Sequence, residues 1–173
     1  MVENKLYLNQ GDLNFEDITQ SSGITSASKW YTGVTVADVN QDGLEDIYIS
    51  VAGKWMSRKN ELWINQGPDA SGIPQFTEEA EDYGVADASY SIQSVFFDYD
   101  NDGDLDLLVG NYVPTSFDSY SFEYRKKMDE NKWEESDDLY RNNGDGTFTD
   151  VSEESGIQNF GLTIGVLAND FNQ

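Results

Sequence analysis

The sequence predicts an all-β fold, β-propeller blades of four antiparallel strands, in a partial propeller of about two full blades plus two partial blades. Three observations carry this. An aspartate loop following an apolar strand starts at Asp38, Asp98 and Asp170, 60 and then 72 residues apart, which is the spacing of repeat arrays. A second unit alternates with it, at Leu6-Tyr7-Leu8-Asn9, Leu62-Trp63-Ile64-Asn65 and Leu139-Tyr140-Arg141-Asn142. Finally, β-branched and aromatic residues fall in short runs bounded by Gly, Asn and Asp, the pattern of strands and turns rather than of helices.

Taken in order, residues 4–18 read as the last two strands of a partial blade, the second carrying Phe15. Residues 33–79 supply a whole blade. Its strands are an apolar run up to Ala37, a run from Ile47 to Val51 after the loop, the Leu-aromatic strand around Trp63, and a strand around Phe76. Residues 93–151 repeat the plan with an insertion at 113–136, and Asn143-Gly144-Asp145-Gly146 forms a tight hairpin turn because Asn, Asp and Gly tolerate positive φ. Residues 162–173 begin a further blade. The expectation is one repeat domain over 1–173. Two blades and two fragments do not close a ring of four to eight blades, so we expect a piece of a longer chain, or association with other blades or chains to complete a propeller.

Composition narrows function. The 173 residues hold 33 acidic and 10 basic side chains, a net charge of -23, which repels nucleic-acid phosphates and anionic membrane surfaces. At 38% hydrophobic and 13% aromatic the chain is nonetheless too apolar to be disordered. No apolar run reaches the roughly 18 residues of a membrane span. Histidine and cysteine are absent, which removes Ser-His-Asp and Cys-His chemistry, a usual zinc site and any disulfide within these residues.

The aspartate loops point to Ca²⁺. This hard cation takes six to eight oxygens, and side-chain oxygens at alternate positions of a short loop can wrap around it. The first loop offers Asp38, Asn40 and Asp42, the carbonyl of Leu44, and Asp46; the second offers Asp98, Asp100 and Asp102, the carbonyl of Asp104, and Asp106. A glycine, Gly43 or Gly103, makes the sharp turn between them. An EF-hand would need a Glu at position 12 and flanking helices, whereas that position is Ile49 or Val109 and both flanks read as strands. Two complete Ca²⁺ sites are expected, with a third truncated at Asp170 and Asn172. Sites with extracellular-type affinity would stand empty at cytosolic calcium, so the expected setting is extracellular, cell-surface or periplasmic.

Asp-x-Asn/Asp-x-Asp-Gly-x-x-Asp after an apolar strand, with Leu-Tyr-x-Asn-x-Gly and Phe-Thr-Asp-Val-Ser-Glu-Glu-Ser-Gly-Ile between, resembles the FG-GAP or VCBS repeat. Integrin α-subunit propellers carry similar loops. Residues 112–156 are similar to ASPIC/UnbV and cartilage acidic protein-like surface proteins. The resemblance implies calcium ligands at the loop positions already named, in a family that includes adhesion modules, lectins and some polysaccharide lyases. The absence of histidine and of a convergent acid-base group outside the loops favours a role in adhesion, or in binding a protein or glycan, without catalysis. The alternatives are a fragment of a calcium-dependent polysaccharide lyase or hydrolase, with Tyr120, Tyr124, Arg125 or Lys126 at its active site, or a structural repeat that assembles through blade edges. Trp30, Trp55, Trp63 and Trp133 could stack on sugars, but Trp63 occupies a slot held by Tyr7 and Tyr140 elsewhere and is expected to pack.

Overall fold

The computed structural model describes residues 3–25, 28–53, 56–112, 126, 136–157, 159 and 163–169. Strands β1 (Tyr7–Gly11) and β2 (Asn14–Asp17) form a hairpin. A four-stranded sheet follows, made of β3 (Trp30–Ala37), β4 (Asp46–Ala52), β5 (Glu61–Pro68) and β6 (Pro74–Glu78), adjacent in chain order. A second sheet repeats this order with β7 (Ser91–Phe97), β8 (Asp106–Asn111), β9 (Asp138–Asn142) and β10 (Phe148–Asp150), and one helical turn, α1 (Ser152–Ser155), comes after it. All pairings are antiparallel, so each sheet is a four-stranded blade with the loop at the β3–β4 or β7–β8 hairpin.

The two blades match in detail. Val34 pairs with Ile49 as Ser94 pairs with Val109, and both first strands carry a bulge at the equivalent step, Tyr31/Gly33 and Ser91/Gln93. The middle strands are buried on both faces, as their unbroken apolar runs require. Val39, Tyr48, Leu62, Ile64, Ala80 and Val85 share one core cluster with Leu107, Val109, Tyr140 and Phe148, so the core lies between the blades rather than within either. Tyr48 meets Phe96 edge to face at 6.1 Å between ring centroids. Trp63 is buried, as expected from its repeat slot, and its Nε1 donates to Glu61 Oε2 at 3.1 Å.

Residues 163–169 differ from the expected first strand of a further blade: they lie outside any ladder, because no described strand pairs with them. They still occupy the corresponding place. Gly165 faces Gln93, just as Gly33 faces Ile92 and Gln93 one blade earlier. Most of the 113–136 insertion, with Tyr120, Tyr124 and Arg125, lies outside the described residues, as do Trp55, Trp133, Asp170 and Asn172. Lys126 is described and is exposed.

Candidate metal centre

Each loop begins at the end of a first strand and closes at the first residue of a second. Its shape follows from the acidic side chains themselves. Asp38 Oδ2 accepts from the Gly43 N–H at 2.8 Å, and Asp98 Oδ2 from the Gly103 N–H at 3.1 Å. Asp42 and Asp102 turn back on the N–H two residues ahead, of Leu44 (2.8 Å) and Asp104 (2.9 Å). The backbone takes positive φ at Gln41 and Gly43, and again at Asn101 and Gly103, so the two loops share one conformation.

The closing carboxylates are the best held. Asp46 and Asp106 are fully buried. Asp46 accepts from Val39 N–H (3.0 Å) and Asn65 N–H (2.8 Å); Asp106 accepts from Tyr99 N–H (2.8 Å) and Asn142 N–H (2.9 Å). Burial raises both above the usual carboxylate range, the two N–H donors oppose the shift, and the neighbouring loop aspartates add to it. Each is a buried acid among others of like charge.

In the second loop Asp98, Asp100 and Asp106 each bring an oxygen within 4.8 Å of the others, and Asp98 Oδ1 is buried without a hydrogen-bond partner. Such an orphaned oxygen facing two further carboxylates is what a cation-binding loop requires. Asp38, Asp42 and Asp46 are not gathered to that distance; there Asp38 Oδ1 and Asn40 Oδ1 accept from Asp42 N–H, and Asn40 Nδ2 donates to Asp42 Oδ2. The donors of the first loop bond to one another. Leu44 and Asp104 occupy the turn after the glycine, and the Asp104 carboxylate accepts from Gln41 Nε2 at 2.6 Å, joining the two loops.

Two residues that the sequence shows only as members of the second recurring unit support the loops. Asn65 and Asn142 hold the closing carboxylate through their N–H groups, and their side chains cap the next turn, on Gly67 and Gly144 at 3.0 Å. Asn9 does the same to Gly11 at 2.9 Å. The signal was the Asn-x-Gly that recurs in every copy of the second unit.

Repeated four-stranded blades with an acidic loop on the first hairpin define a propeller-type repeat protein. The FG-GAP-like repeat family model matches residues 2–49, so the chain carries an FG-GAP-like repeat. That match runs from the β1–β2 hairpin through the first loop, so the sequence repeat straddles two blades. The chain is similar to cartilage acidic protein 1 of Xenopus tropicalis, 30% identical over 113 residues, which is 62% of this chain and 16% of that protein. It is also similar to a T-cell immunomodulatory protein homolog of Plasmodium yoelii yoelii, 27% identical over 145 residues, 77% of this chain and 19% of that one. The chain therefore spans less than a fifth of either relative. No described helix is long and apolar enough to cross a membrane.

Proposed function

We propose that this chain is a calcium-binding module of an extracellular propeller, in which Ca²⁺ held by the aspartate loops rigidifies the hairpins that present a non-catalytic binding surface to a protein or glycan. The observation that carries the metal reading is Asp98 Oδ1, buried and unpartnered beside Asp100 and Asp106. Asp38, Asn40, Asp42 and Asp46 would form the first site once Asn40 turns its oxygen inward, and Asp98, Asp100, Asp102 and Asp106 the second. The carbonyls of Leu44 and Asp104 would complete them. The similarity to cartilage acidic protein 1 supports an extracellular setting, where calcium is abundant.

Thermal unfolding with calcium titrated against excess chelator tests the reading. At ten times Kd each occupied site adds about 1.4 kcal/mol to stability. The Tm of the parent protein should rise with calcium, and Asp42→Ala or Asp102→Ala should each remove about half of that rise. An identical Tm in calcium and in chelator would leave the loops as acidic turns and overturn the proposal.

A further inference from the structure

The β1–β2 hairpin repeats the outer half of a blade. The Leu6 carbonyl accepts from Ile18 N–H at 2.9 Å as the Leu62 carbonyl accepts from Glu79 N–H at 2.8 Å, so Leu6 takes the place of Leu62, Asn4 that of Asn60 and Asn9 that of Asn65. The connectors correspond too. The Ser22 carbonyl accepts from Phe76 N–H at 2.9 Å and the Tyr83 carbonyl from Phe148 N–H at 2.8 Å, which matches Ile24 to Val85.

In this register a second, smaller apolar cluster copies the core between the blades. Leu6, Ile24, Ile47, Ile49, Trp63 and Phe76 gather in it, as Leu62, Val85, Leu107, Val109, Tyr140 and Phe148 do in the larger one. Tyr48 and Val39 of the larger cluster have no counterpart among the described residues, and both belong to the β3–β4 hairpin. In their place lies a groove of 730 Å³, with Leu6, Ile24, Val34, Val36, Ile47 and Ile49 in its wall. Val34 and Val36 are more than half exposed there. One blade later the same two slots are covered: Ser94 Oγ lies 2.7 Å from Ser50 Oγ, and Phe96 packs on the Tyr48 ring. The edge of β1 away from β2 pairs with no described strand. Leu6 N–H donates to Thr19 Oγ1 on the β2 side, so strand alternation turns Tyr7 N–H and Asn9 N–H towards the groove.

We propose that this groove receives a β-hairpin from a further repeat unit, whose second strand reads Asp-x-Tyr and adds to the edge of β1. The first blade shows what each group would meet. The aspartate takes the Asn9 N–H, as Asp46 takes that of Asn65 at 2.8 Å. The tyrosine ring covers Val36, and its hydroxyl donates to the Ile24 carbonyl, as Tyr48 donates to the Val85 carbonyl at 2.8 Å. Main-chain hydrogen bonds along β1 give affinity, and the apolar wall selects the side chains. A second copy of these residues does not fit, because its two hairpins of this type are already paired with β5 and β9 of its own blades. The contacts are apolar or hydrogen-bonded and do not rest on the metal reading.

The test places a second copy of residues 30–59 directly ahead of Asn4, the position equivalent to Asn60, in the otherwise intact chain, and follows amide exchange by NMR. Exchange at Tyr7 and Asn9 should slow by about tenfold or more, and the Val34 and Val36 methyl signals should shift. Tyr48→Ser in the added copy alone should lose most of that protection. Protection in either calcium or chelator sustains the inference, which keeps its outcome apart from that of the loop sites. Unchanged exchange at both amides, or equal protection from an extension of scrambled sequence, overturns it. So does a dimer of the unextended chain that already protects Tyr7 and Asn9, since a second copy would then be the occupant.

Discussion

The aspartates do two separable jobs, and Asp17 shows the one that needs no metal. Its carboxylate accepts from the Thr19 hydroxyl at 2.6 Å and the Thr19 N–H at 3.1 Å, and Lys5 lies 3.1 Å away. The Thr19 hydroxyl in turn accepts from the Leu6 N–H, closing the β1–β2 hairpin onto the following turn. These donors hold Asp17 at about 2, below its ordinary 3.8, the Thr19 hydroxyl contributing most. A depressed carboxylate contributes stability that is present above its ordinary value and is lost as pH falls from about 4 towards about 2. Carbon-detected titration of the native protein should place the Asp17 midpoint near 2. Thr19→Val should move it back towards the ordinary range and loosen the hairpin. A native midpoint already near 4 would contradict this account.

At the scale of elements, the approach of one blade to the next is set where a side chain would not fit. A Cβ at Gly33 would sit 2.7 Å from the Ile92 carbonyl oxygen and 3.0 Å from Gln93 Cα, both backbone atoms that cannot swing away. At Gly110 the closest obstacles are methyl groups, Thr163 Cγ2 at 2.7 Å and Val166 Cγ1 at 2.8 Å, on a segment outside any ladder, with the Gln93 carbonyl oxygen farther off at 3.3 Å. Gly33→Ala should therefore cost about 1–3 kcal/mol in urea unfolding, as overpacking does, and Gly110→Ala measurably less. Equal costs would mean that β3 and β7 can part without penalty.

The strands and loops were legible because their cues are local: Asp, Asp and Gly at fixed offsets, and Leu-aromatic-x-Asn before a turn. The support of the loops was not, because Asn65 reaches Asp46 and Asn142 reaches Asp106 only through the register of a third strand. The Lys29–Glu61 pair, and the contacts of Asp87 and Asp138 with the Asn111 amide, were likewise out of reach, since their members come together only when connectors fold back on the blades. The 163–169 segment shows the converse, a strand-like sequence without a ladder partner among the described residues.

For the molecule as a whole, the consequence of a shared core is shared stability. Leu107 is fully buried on β8, yet its cluster contains Tyr48 and Leu62 of the first blade. Hydrogen bonds cross the same seam: Thr32 Oγ1 to the Ser91 carbonyl at 2.6 Å, Ser50 Oγ with Ser94 Oγ at 2.7 Å, and Asn142 Nδ2 to the Val39 carbonyl at 3.1 Å. Separating the blades would strand these buried polar groups and expose the cluster at once, so neither blade has a low-energy route to unfold alone. Leu107→Ala leaves a cavity and should cost about 2–5 kcal/mol. The loss should appear equally in both blades: amide exchange in β4 and β5 should accelerate by the same factor as in β8 and β9. Faster exchange confined to β7–β10 would show instead that each blade is its own folding unit, with the seam a contact between finished parts.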